Sequence, residues 1–360
     1  MKYLTPTLIV IICSLIYVGV VLGMNQLDPM SFVLLGTQYS EADPNGTEGY
    51  DGQFAYQIAL NPTQAVPYLD VPAYRYQRLL YPMLARWLAL GQADLIPWTL
   101  ILVNLLAIGW GTWMTEKLLV DLRVSRWYAL SYGLYGGQML TLRTDLNEPL
   151  AQALIQTAMW LWVKQRVWGT VLAFALAAFA KETSLIFLGA YIFSCLLQKE
   201  WRNSIKLSLA VVPFLGYQGL LWIWLGSFGL GSGGAGATPF SPIPLWGWLS
   251  IISVSVVGFL LISLVVFPMS ILPALAGVRL SLPHLRAKQW HSYIISLFLH
   301  SLILLCLPAS TMREPAAMMR LTQGLMVAML LYGAWVKSPR ILRYTTLWIF
   351  TNALLIGGVA

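Results

Sequence analysis

Apolar runs of about the length needed to cross a lipid bilayer recur from one end of the chain to the other. Of the 360 residues, 58% are hydrophobic and only 10% are charged, whereas an ordinary soluble domain has about 25% charged residues. So few charges cannot cover a globule with a polar surface, so the bilayer must be the solvent for most of the chain. The sequence therefore predicts an all-α fold, a polytopic transmembrane helical bundle.

The predicted spans follow one another closely enough to form one continuous membrane domain over residues 1–360. A spanning helix needs about 20 apolar residues, although shorter spans occur. The first apolar segment lacks an A-x-A cleavage site, so we interpret it as a retained span rather than a signal peptide. About eleven spans are predicted, near residues 6–23, 95–115, 127–141, 149–163, 167–180, 184–198, 207–227, 245–267, 291–308, 321–336 and 344–359.

The distribution of charge indicates the orientation of the chain. With Lys2 on the cytoplasmic side, alternating connections place most basic residues inside, as the positive-inside rule requires. The net charge of +8 therefore indicates orientation, not a nucleic-acid partner. Most acids fall outside, beside several arginines, which is the composition expected of a polar cleft on the non-cytoplasmic face.

The long outer connection, residues 24–94, contains the first candidate chemistry. It includes the stretch Gly49-Tyr50-Asp51-Gly52-Gln53-Phe54, in which flanking glycines allow a tight backbone path around a carboxylate. Such a carboxylate could act as a general base, bind a metal or accept hydrogen bonds from hydroxyls. An Asx-turn without catalytic function is the structural alternative.

The same connection continues into a predicted amphipathic helix at the outer membrane interface. At helical spacing, Arg75, Arg78 and Arg86 share one face, and apolar side chains such as Trp87 share the other. Pro82 is expected to bend or split this helix.

Two stretches carry a resemblance to a known superfamily, YDGQFAYQIALNP at 50–62 and LDVPAYRYQRLLYPMLA at 69–85. Weaker likeness continues through RTDLNEP at 143–149, AKETSL at 180–185 and MREPAAMMRLTQG at 312–324. Together these stretches resemble bacterial multi-spanning proteins of the GT-C superfamily of membrane glycosyltransferases.

The resemblance implies an enzyme that takes a sugar from a polyprenyl-phosphate carrier on the non-cytoplasmic face. Such enzymes place an essential acid in the first outer loop, soon after the first span, and the matching residue here is Asp51. The charge distribution independently puts Asp51 on that face. Asp51 is expected to accept the proton of the acceptor hydroxyl in a single displacement that inverts the anomeric configuration.

The leaving lipid phosphate requires nearby positive charge. Arg313 and Arg320, seven residues apart and so on one face if helical, are the predicted donor-phosphate ligands, with Lys181 assisting; Pro315 is predicted to begin the helix that carries Arg320. Alternatively, Arg320 forms a buried ion pair, and Lys181 and Glu182 neutralise each other. The residues predicted to shape the substrate pocket are Tyr50, Gln53, Arg75, Arg78, Asp145 and Glu182.

Other candidate features carry less weight. No D-x-D or H-x-x-H motif occurs in the outer loops, so no metal site and no cofactor are predicted, although a divalent metal is left open. Glu148 is expected to act structurally at a helix N-terminus, and His300 to be a satisfied buried imidazole. The glycine-rich segment 229–242 is interpreted as a linker, with a lid as the alternative.

The sequence thus predicts a plasma-membrane glycosyltransferase with a cytoplasmic N-terminus. Its partners would be the polyprenyl-phosphate sugar, the bilayer and an acceptor that the sequence does not identify. A transporter or flippase for a lipid-linked substrate is one alternative function. A non-catalytic subunit of GT-C type is another.

Overall fold

A computed structural model describes residues 4–355 as helices joined by turns, with no β-strand in that range. The all-α fold class is therefore confirmed. Lys2 and the last residues of the predicted span 344–359 lie outside the described residues.

Several helices are long and apolar enough to cross a membrane, as expected for a polytopic membrane protein. Within residues 4–355 these long helices are Pro6–Met24, Ala93–Asp121, Trp201–Leu225, Val256–Arg286 and Pro315–Trp335. Shorter apolar helices cover Val167–Ala180, Glu182–Leu197 and Ser292–Leu305.

Three predicted segments are confirmed as helices to within about a residue, namely Pro6–Met24, Glu148–Val163 and Val167–Ala180. The predicted break before the next helix is also present, because Lys181 has an extended backbone with φ −159° and ψ 129°. A 3-10 turn at Glu182–Ser184 follows this residue and leads into the helix Leu185–Leu197.

The prediction of a continuous helix over 127–141 is wrong. The chain there forms a 3-10 turn at Arg126–Ala129 and two short helices, Leu130–Gly133 and Gly136–Arg143. Three glycines fall in this region, at positions 133, 136 and 137, and each is unfavourable in a helix interior by about 1 kcal/mol relative to alanine. The apolar composition predicted the burial but not the break.

The prediction of a span over 245–267 is also wrong. Short turns occupy Trp246–Leu249 and Ser250–Ser253, and a long helix then runs over Val256–Arg286. That helix includes a π-helical turn at Phe267–Ile271. A π-turn can absorb the loss of the backbone hydrogen bond that Pro268 within it cannot donate, so the helix continues where the sequence predicted an end.

The described chain groups into two compact units. The first contains the residues up to Met114, Thr141–Ser184 and Leu209–Ala235, and the second contains Thr115–Leu140, Leu185–Ser208 and the residues from Gly236 onward. The prediction of a single continuous domain stays a prediction.

In the first unit, the long connection after the first helix folds into short helices. These are Met30–Val33, Thr37–Ser40, Gly52–Leu60, Val66–Tyr68, Pro72–Tyr76, Leu80–Leu88 and Ala93–Leu95. Their apolar side chains form two small cores, one around Tyr81 and Leu100 and one around Phe54, Tyr76 and Leu221. The helices Ile96–Asp121 and Val212–Leu225 contribute to these cores, so the connection is a packed part of the fold.

The prediction of one amphipathic surface helix in this connection is corrected. Two helices, Pro72–Tyr76 and Leu80–Leu88, replace it, and the break precedes Pro82 instead of falling on it. Arg75 and Arg78 are both 8% exposed, so they face the interior of the unit and not the membrane surface. The amphipathic pattern does not reveal the carboxylates that pair with Arg75 and Arg78, because these are distant in sequence or off the helix.

In the second unit, the helices that pack together are Leu185–Leu197, Leu272–Arg286, Ser292–Leu305 and Pro315–Trp335. The remaining helices are Trp201–Ser208, Ala309–Met312, Pro339–Thr346 and a 3-10 segment at Leu347–Leu355. Small residues allow membrane helices to approach closely. Gly324 is such a residue, because a Cβ there would lie 2.5 Å from Cδ2 of the His300 ring.

His300 is a satisfied buried imidazole, as predicted. Its Nδ1 donates to the carbonyl oxygen of Ser296 over 2.8 Å, and its ring packs on Phe187 at 4.0 Å between centroids. The ring is therefore fixed on two sides, and Gly324 provides the space on the third.

We expect Gly324→Leu to lower the thermal unfolding temperature of the detergent-solubilised protein. The added side chain would overlap the fixed His300 ring, and overpacking costs about 1–3 kcal/mol or more. Gly189→Leu is the matched control, since a Cβ at that helical position meets nothing within 4 Å. Equal unfolding temperatures by tryptophan fluorescence for the two variants would contradict this packing.

Candidate functional site

The two glycines around Asp51 are each required by a close backbone approach. Gly49 has a left-handed φ of +68°, and a Cβ there would lie 2.5 Å from the carbonyl oxygen of Leu34. A Cβ on Gly52 would fall 2.1 Å from the carbonyl oxygen of Thr144. The loop therefore fits tightly between two other segments, and Asp51 ends it immediately before the helix Gly52–Leu60.

Gln53 holds this loop together. Its Oε1 accepts from the backbone N–H of Gly36 over 3.1 Å, and its Nε2 donates to the carbonyl oxygen of Glu48 over 2.7 Å. The backbone N–H of Tyr50 also donates to the carbonyl oxygen of Leu34 over 2.9 Å. Because Gln53 is 1% exposed and bonded on both sides of its amide, its geometry favours positioning the loop over contact with a substrate. Tyr50 is half-buried in the same loop.

Asp51 lies at the exposed end of a row of three charged side chains. Its Oδ1 is 2.9 Å from Nη2 of Arg75. The Arg75 guanidinium in turn binds Asp70 in bidentate fashion, with Nε–Oδ1 and Nη2–Oδ2 distances of 2.7 Å each. The Arg75 guanidinium also lies over the Phe54 ring at 4.1 Å from its centroid. The Asp51 side chain is 30% exposed, whereas Arg75 is 7% and Asp70 is 4% exposed.

Asp70 is anchored by further donors. Its oxygens accept from the backbone N–H groups of Val71 and Ala235 over 2.7 and 2.9 Å. Burial alone would raise the pKa of Asp70, but the hydrogen bonds and charge of Arg75, with the backbone donors, hold it below its ordinary value. Asp70 is therefore a carboxylate at neutral pH.

Sequence reasoning did not select Asp70. It lies within the stretch 69–85 that carries the GT-C resemblance, five residues before Arg75. An Asp five residues before an Arg is a weak signal, because this spacing alone predicts no contact between the two side chains. Here Asp70 precedes the helix Pro72–Tyr76 that carries Arg75, so only the fold reveals the pair.

A second group of charges is fully paired within the first unit. Arg78 Nε and Nη2 bind the carboxylate of Glu182 over 2.8 and 2.6 Å, and Nη2 also lies 2.6 Å from the hydroxyl of Tyr74. Lys181 Nζ lies 2.5 Å from Oε1 of Glu148. The alternative that Lys181 and Glu182 neutralise each other is thus corrected, because each pairs with a different partner.

Asp145 is a different kind of acid. It is fully buried, its backbone has a left-handed φ of +46°, and neither carboxylate oxygen has a hydrogen-bond partner in the described part of the chain. Burial raises the pKa of Asp145 well above its ordinary value, although the nearby charge of Arg143 opposes this shift. The environment of Asp145 thus disfavours the ionised form that a general base needs.

The predicted donor-phosphate arginines belong to the second unit. Arg320 lies within the helix Pro315–Trp335, which begins at Pro315 as predicted, and its side chain is half-buried. Arg313 is exposed and follows the short helix Ala309–Met312. Since Glu314 separates the two helices, the expected placement of Arg313 and Arg320 on one helical face is wrong.

The described residues form an all-helical structure with several helices long and apolar enough to cross a membrane, and a row of paired charges in the first unit ends in the partly exposed carboxylate of Asp51. No family model, no curated protein and no solved structure matches the chain. Among the described residues, no group of three or more His, Cys, Asp or Glu side chains has the geometry to hold a metal ion.

We expect Glu182→Gln to destabilise the protein by on the order of 3 kcal/mol, because it leaves the Arg78 guanidinium buried beside a neutral amide. Glu41→Gln, at an exposed acid of the same unit, is the control. Thermal unfolding in one detergent measures both. If the Glu182 and Glu41 variants unfolded at the same temperature, the Arg78–Glu182 pair would contribute nothing to stability.

Proposed function

We propose that the protein is a membrane glycosyltransferase. It would transfer a sugar from a polyprenyl-phosphate carrier to an acceptor on the non-cytoplasmic face, with Asp51 as the general base. The proposal rests on the resemblance of residues 50–62 and 69–85 to GT-C proteins and on the geometry of the first unit.

The exposure of Asp51 is the observation that carries the proposal. Asp70, Asp145 and Glu148 of the first unit are buried, whereas the acids Glu41, Asp43 and Glu48 of the same connection are exposed. Asp51 keeps 30% of its side chain accessible while it is fixed by Arg75 and by the loop that Gln53 holds. A base must reach the proton it removes, and the combination of exposure and a fixed carboxylate supports this role for Asp51.

The proposed reaction is a single displacement. The acceptor oxygen forms a bond to the anomeric carbon of the sugar, the bond from that carbon to the phosphate oxygen breaks, and the acceptor proton passes to Asp51. The electron pair of the broken bond leaves with the polyprenyl phosphate. The anomeric configuration is inverted because attack and departure occur on opposite faces.

The developing charge on the leaving phosphate needs cations. Arg313 and Arg320 stay the predicted ligands, and Arg313 has an exposed side chain. Lys181 is now ranked below them, because its charge is balanced by Glu148 at 2.5 Å. Similarly, the pocket roles of Arg78 and Glu182 become indirect, since the two side chains bind each other.

The topology is part of the same proposal. About eleven spans were predicted, whereas long and shorter apolar helices together give fewer candidates among the described residues. We propose a multi-pass protein of a prokaryotic plasma membrane, with its N-terminus in the cytoplasm and Asp51 on the opposite face.

The activity test uses purified protein in nanodiscs and a panel of polyprenyl-phosphate sugars. Release of free polyprenyl phosphate, with and without added acceptors, is followed by mass spectrometry. We expect release from one donor, and a loss of about 100-fold or more in Asp51→Asn, because removing a general base typically costs that much. Asp43→Asn, at an exposed acid of the same loop, should retain the activity.

Three results would overturn the assignment. Release that is equal in the wild-type protein and Asp51→Asn, at equal folding, would remove Asp51 as the base. Transport of an intact lipid-linked sugar across the membrane without release would instead support a flippase. Stable binding of the donor without turnover would support a non-catalytic subunit.

The orientation is tested by labelling single cysteines. In a background with Cys13, Cys195 and Cys306 replaced by Ala, we expect a membrane-impermeant maleimide to label Thr47→Cys in intact cells. Arg202→Cys, exposed in the structure but predicted to face the cytoplasm, should react only after the membrane is permeabilised. Labelling of both, or of Arg202→Cys alone, in intact cells would contradict the predicted topology.

A further inference from the structure

Arg75 is held between two carboxylates and is shared unequally by them. It gives Asp70 two hydrogen bonds of 2.7 Å and Asp51 one contact of 2.9 Å. Nη2 contacts both acids, so the guanidinium orientation that Asp70 fixes is also the orientation that Asp51 meets. A guanidinium has its donors in one rigid plane, so Asp70 sets where the N–H group directed at Asp51 can lie.

The glycine-rich segment covers the inner part of this row. The N–H of Ala235 donates to Oδ2 of Asp70, and a Cβ on Gly234 would lie 3.0 Å from Nη2 of Arg75 and 3.1 Å from Oδ2 of Asp70. The segment therefore lies against the ion pair without a side chain between them. It keeps Asp70 and Arg75 away from solvent, whereas Asp51 remains accessible.

The charges of Asp70 and Arg75 cancel, and this affects the basicity of the Asp51 carboxylate. Asp70 and Arg75 together are neutral, so Asp51 faces a cation whose charge is already balanced. An unbalanced guanidinium beside a carboxylate strongly favours its ionised form and weakens it as a base. Because Asp70 balances the charge of Arg75, Arg75 can orient the Asp51 carboxylate with a smaller loss of the basicity of Asp51.

We propose that Asp70 is a positioning residue for Asp51: it orients Arg75 and balances its charge, so that Asp51 stays fixed and basic. The inference rests on the proposed role of Asp51 as a general base. It assigns to Asp70 no contact with substrate. It also gives the segment 229–235 a function, which is to shield the Asp70–Arg75 pair.

The other charged groups near Asp51 stay unchanged in all the variants of the experiment described below. Tyr39 and Glu48 lie in the preceding loop, where Tyr39 interacts electrostatically with Asp51, Asp70 and Arg75. Arg78, with its partner Glu182, lies within electrostatic range of Arg75. Their contributions cancel when variants at positions 70 and 75 are compared.

The experiment titrates Asp51 directly, without requiring turnover. Protein in nanodiscs is treated with a water-soluble carbodiimide and an amine over a range of pH, and the modification of Asp51 is read by peptide mass spectrometry. Modification of the exposed acids Glu41 and Asp43 in the same samples corrects for the pH dependence of the reagent.

The charge argument predicts opposite shifts for two variants. Asp70→Asn leaves Arg75 unbalanced, so the titration midpoint of Asp51 should move to lower pH. Arg75→Gln leaves two carboxylates and no cation, so the midpoint should move to higher pH. The double variant Asp70→Asn with Arg75→Gln should return the midpoint towards that of the wild-type protein.

A purely structural role for Asp70 would give a different pattern. Loss of the loop anchor alone would lower the unfolding temperature of both single variants without opposite midpoint shifts, and this result would overturn the proposal. If Asp70→Asn failed to fold, Arg75→Gln would still decide, because an unchanged or lower midpoint in that variant contradicts the charge argument.

The activity assay distinguishes the positioning role of Asp70 from the proposed glycosyltransferase activity. Where polyprenyl phosphate is released, Asp70→Asn should lower the rate about tenfold or more, since a weaker base transfers the proton less well, and the acidic limb of its pH–rate profile should move to lower pH. Asp70→Asn and Arg75→Gln could shift the titration midpoint of Asp51 in opposite directions while no polyprenyl phosphate is released. That result would support the Asp70 inference and leave the glycosyltransferase proposal unsupported.

Discussion

The cost of burying charge in an apolar interior constrains the first unit more than any other interaction. An isolated buried ion is expensive, and one that is paired and hydrogen-bonded is tolerated. Arg75 with Asp70, Arg78 with Glu182, and Lys181 with Glu148 all follow this rule. Two of these pairs also join segments that are far apart in sequence, since Arg78 and Glu182 are 104 residues apart and Lys181 and Glu148 are 33 residues apart.

Asp51 and Asp145 show the two ways in which an acid can depart from simple pairing. Asp145 lacks a hydrogen-bond partner among the described residues and is buried, and burial raises its pKa, which disfavours its charged form. Asp51 is paired on one side and open to solvent on the other, so it can remain charged and still be reached. This contrast supports the proposal that Asp51 is the base, beside the resemblance that first indicated it.

The sequence predicts what depends on composition and local order. Apolar length located the helices Pro6–Met24 and Val167–Ala180, and Pro315 marked a helix start. Apolar length did not locate the helix ends over 127–141, where glycines break a helix, or over 245–267, where a π-turn extends one. The first effect comes from the conformational entropy of glycine and the second from the backbone hydrogen-bond pattern, and hydropathy registers neither.

The candidate site was predictable in part for the same reason. Glycines flanking an acid indicated Asp51, and helical spacing indicated that Arg75 and Arg78 belong together. Their partners were not predictable, because Glu182 is distant in sequence and Asp70 lies off the helix that carries Arg75. Helical spacing predicted a shared helix face for Arg75 and Arg78, whereas their burial and their charge pairing follow from the fold.

A base in a membrane enzyme must satisfy two opposed requirements, since it needs water-like access to stay ionised and a rigid setting to be aligned. A residue within a spanning helix would have the rigidity without the access, and one in a free loop would have the access without the rigidity. Asp51 lies between these cases, because Gly49 and Gln53 fix its loop and Arg75 fixes its carboxylate while the side chain stays partly exposed. The buried charges behind it are thus the means by which an exposed one is held in place.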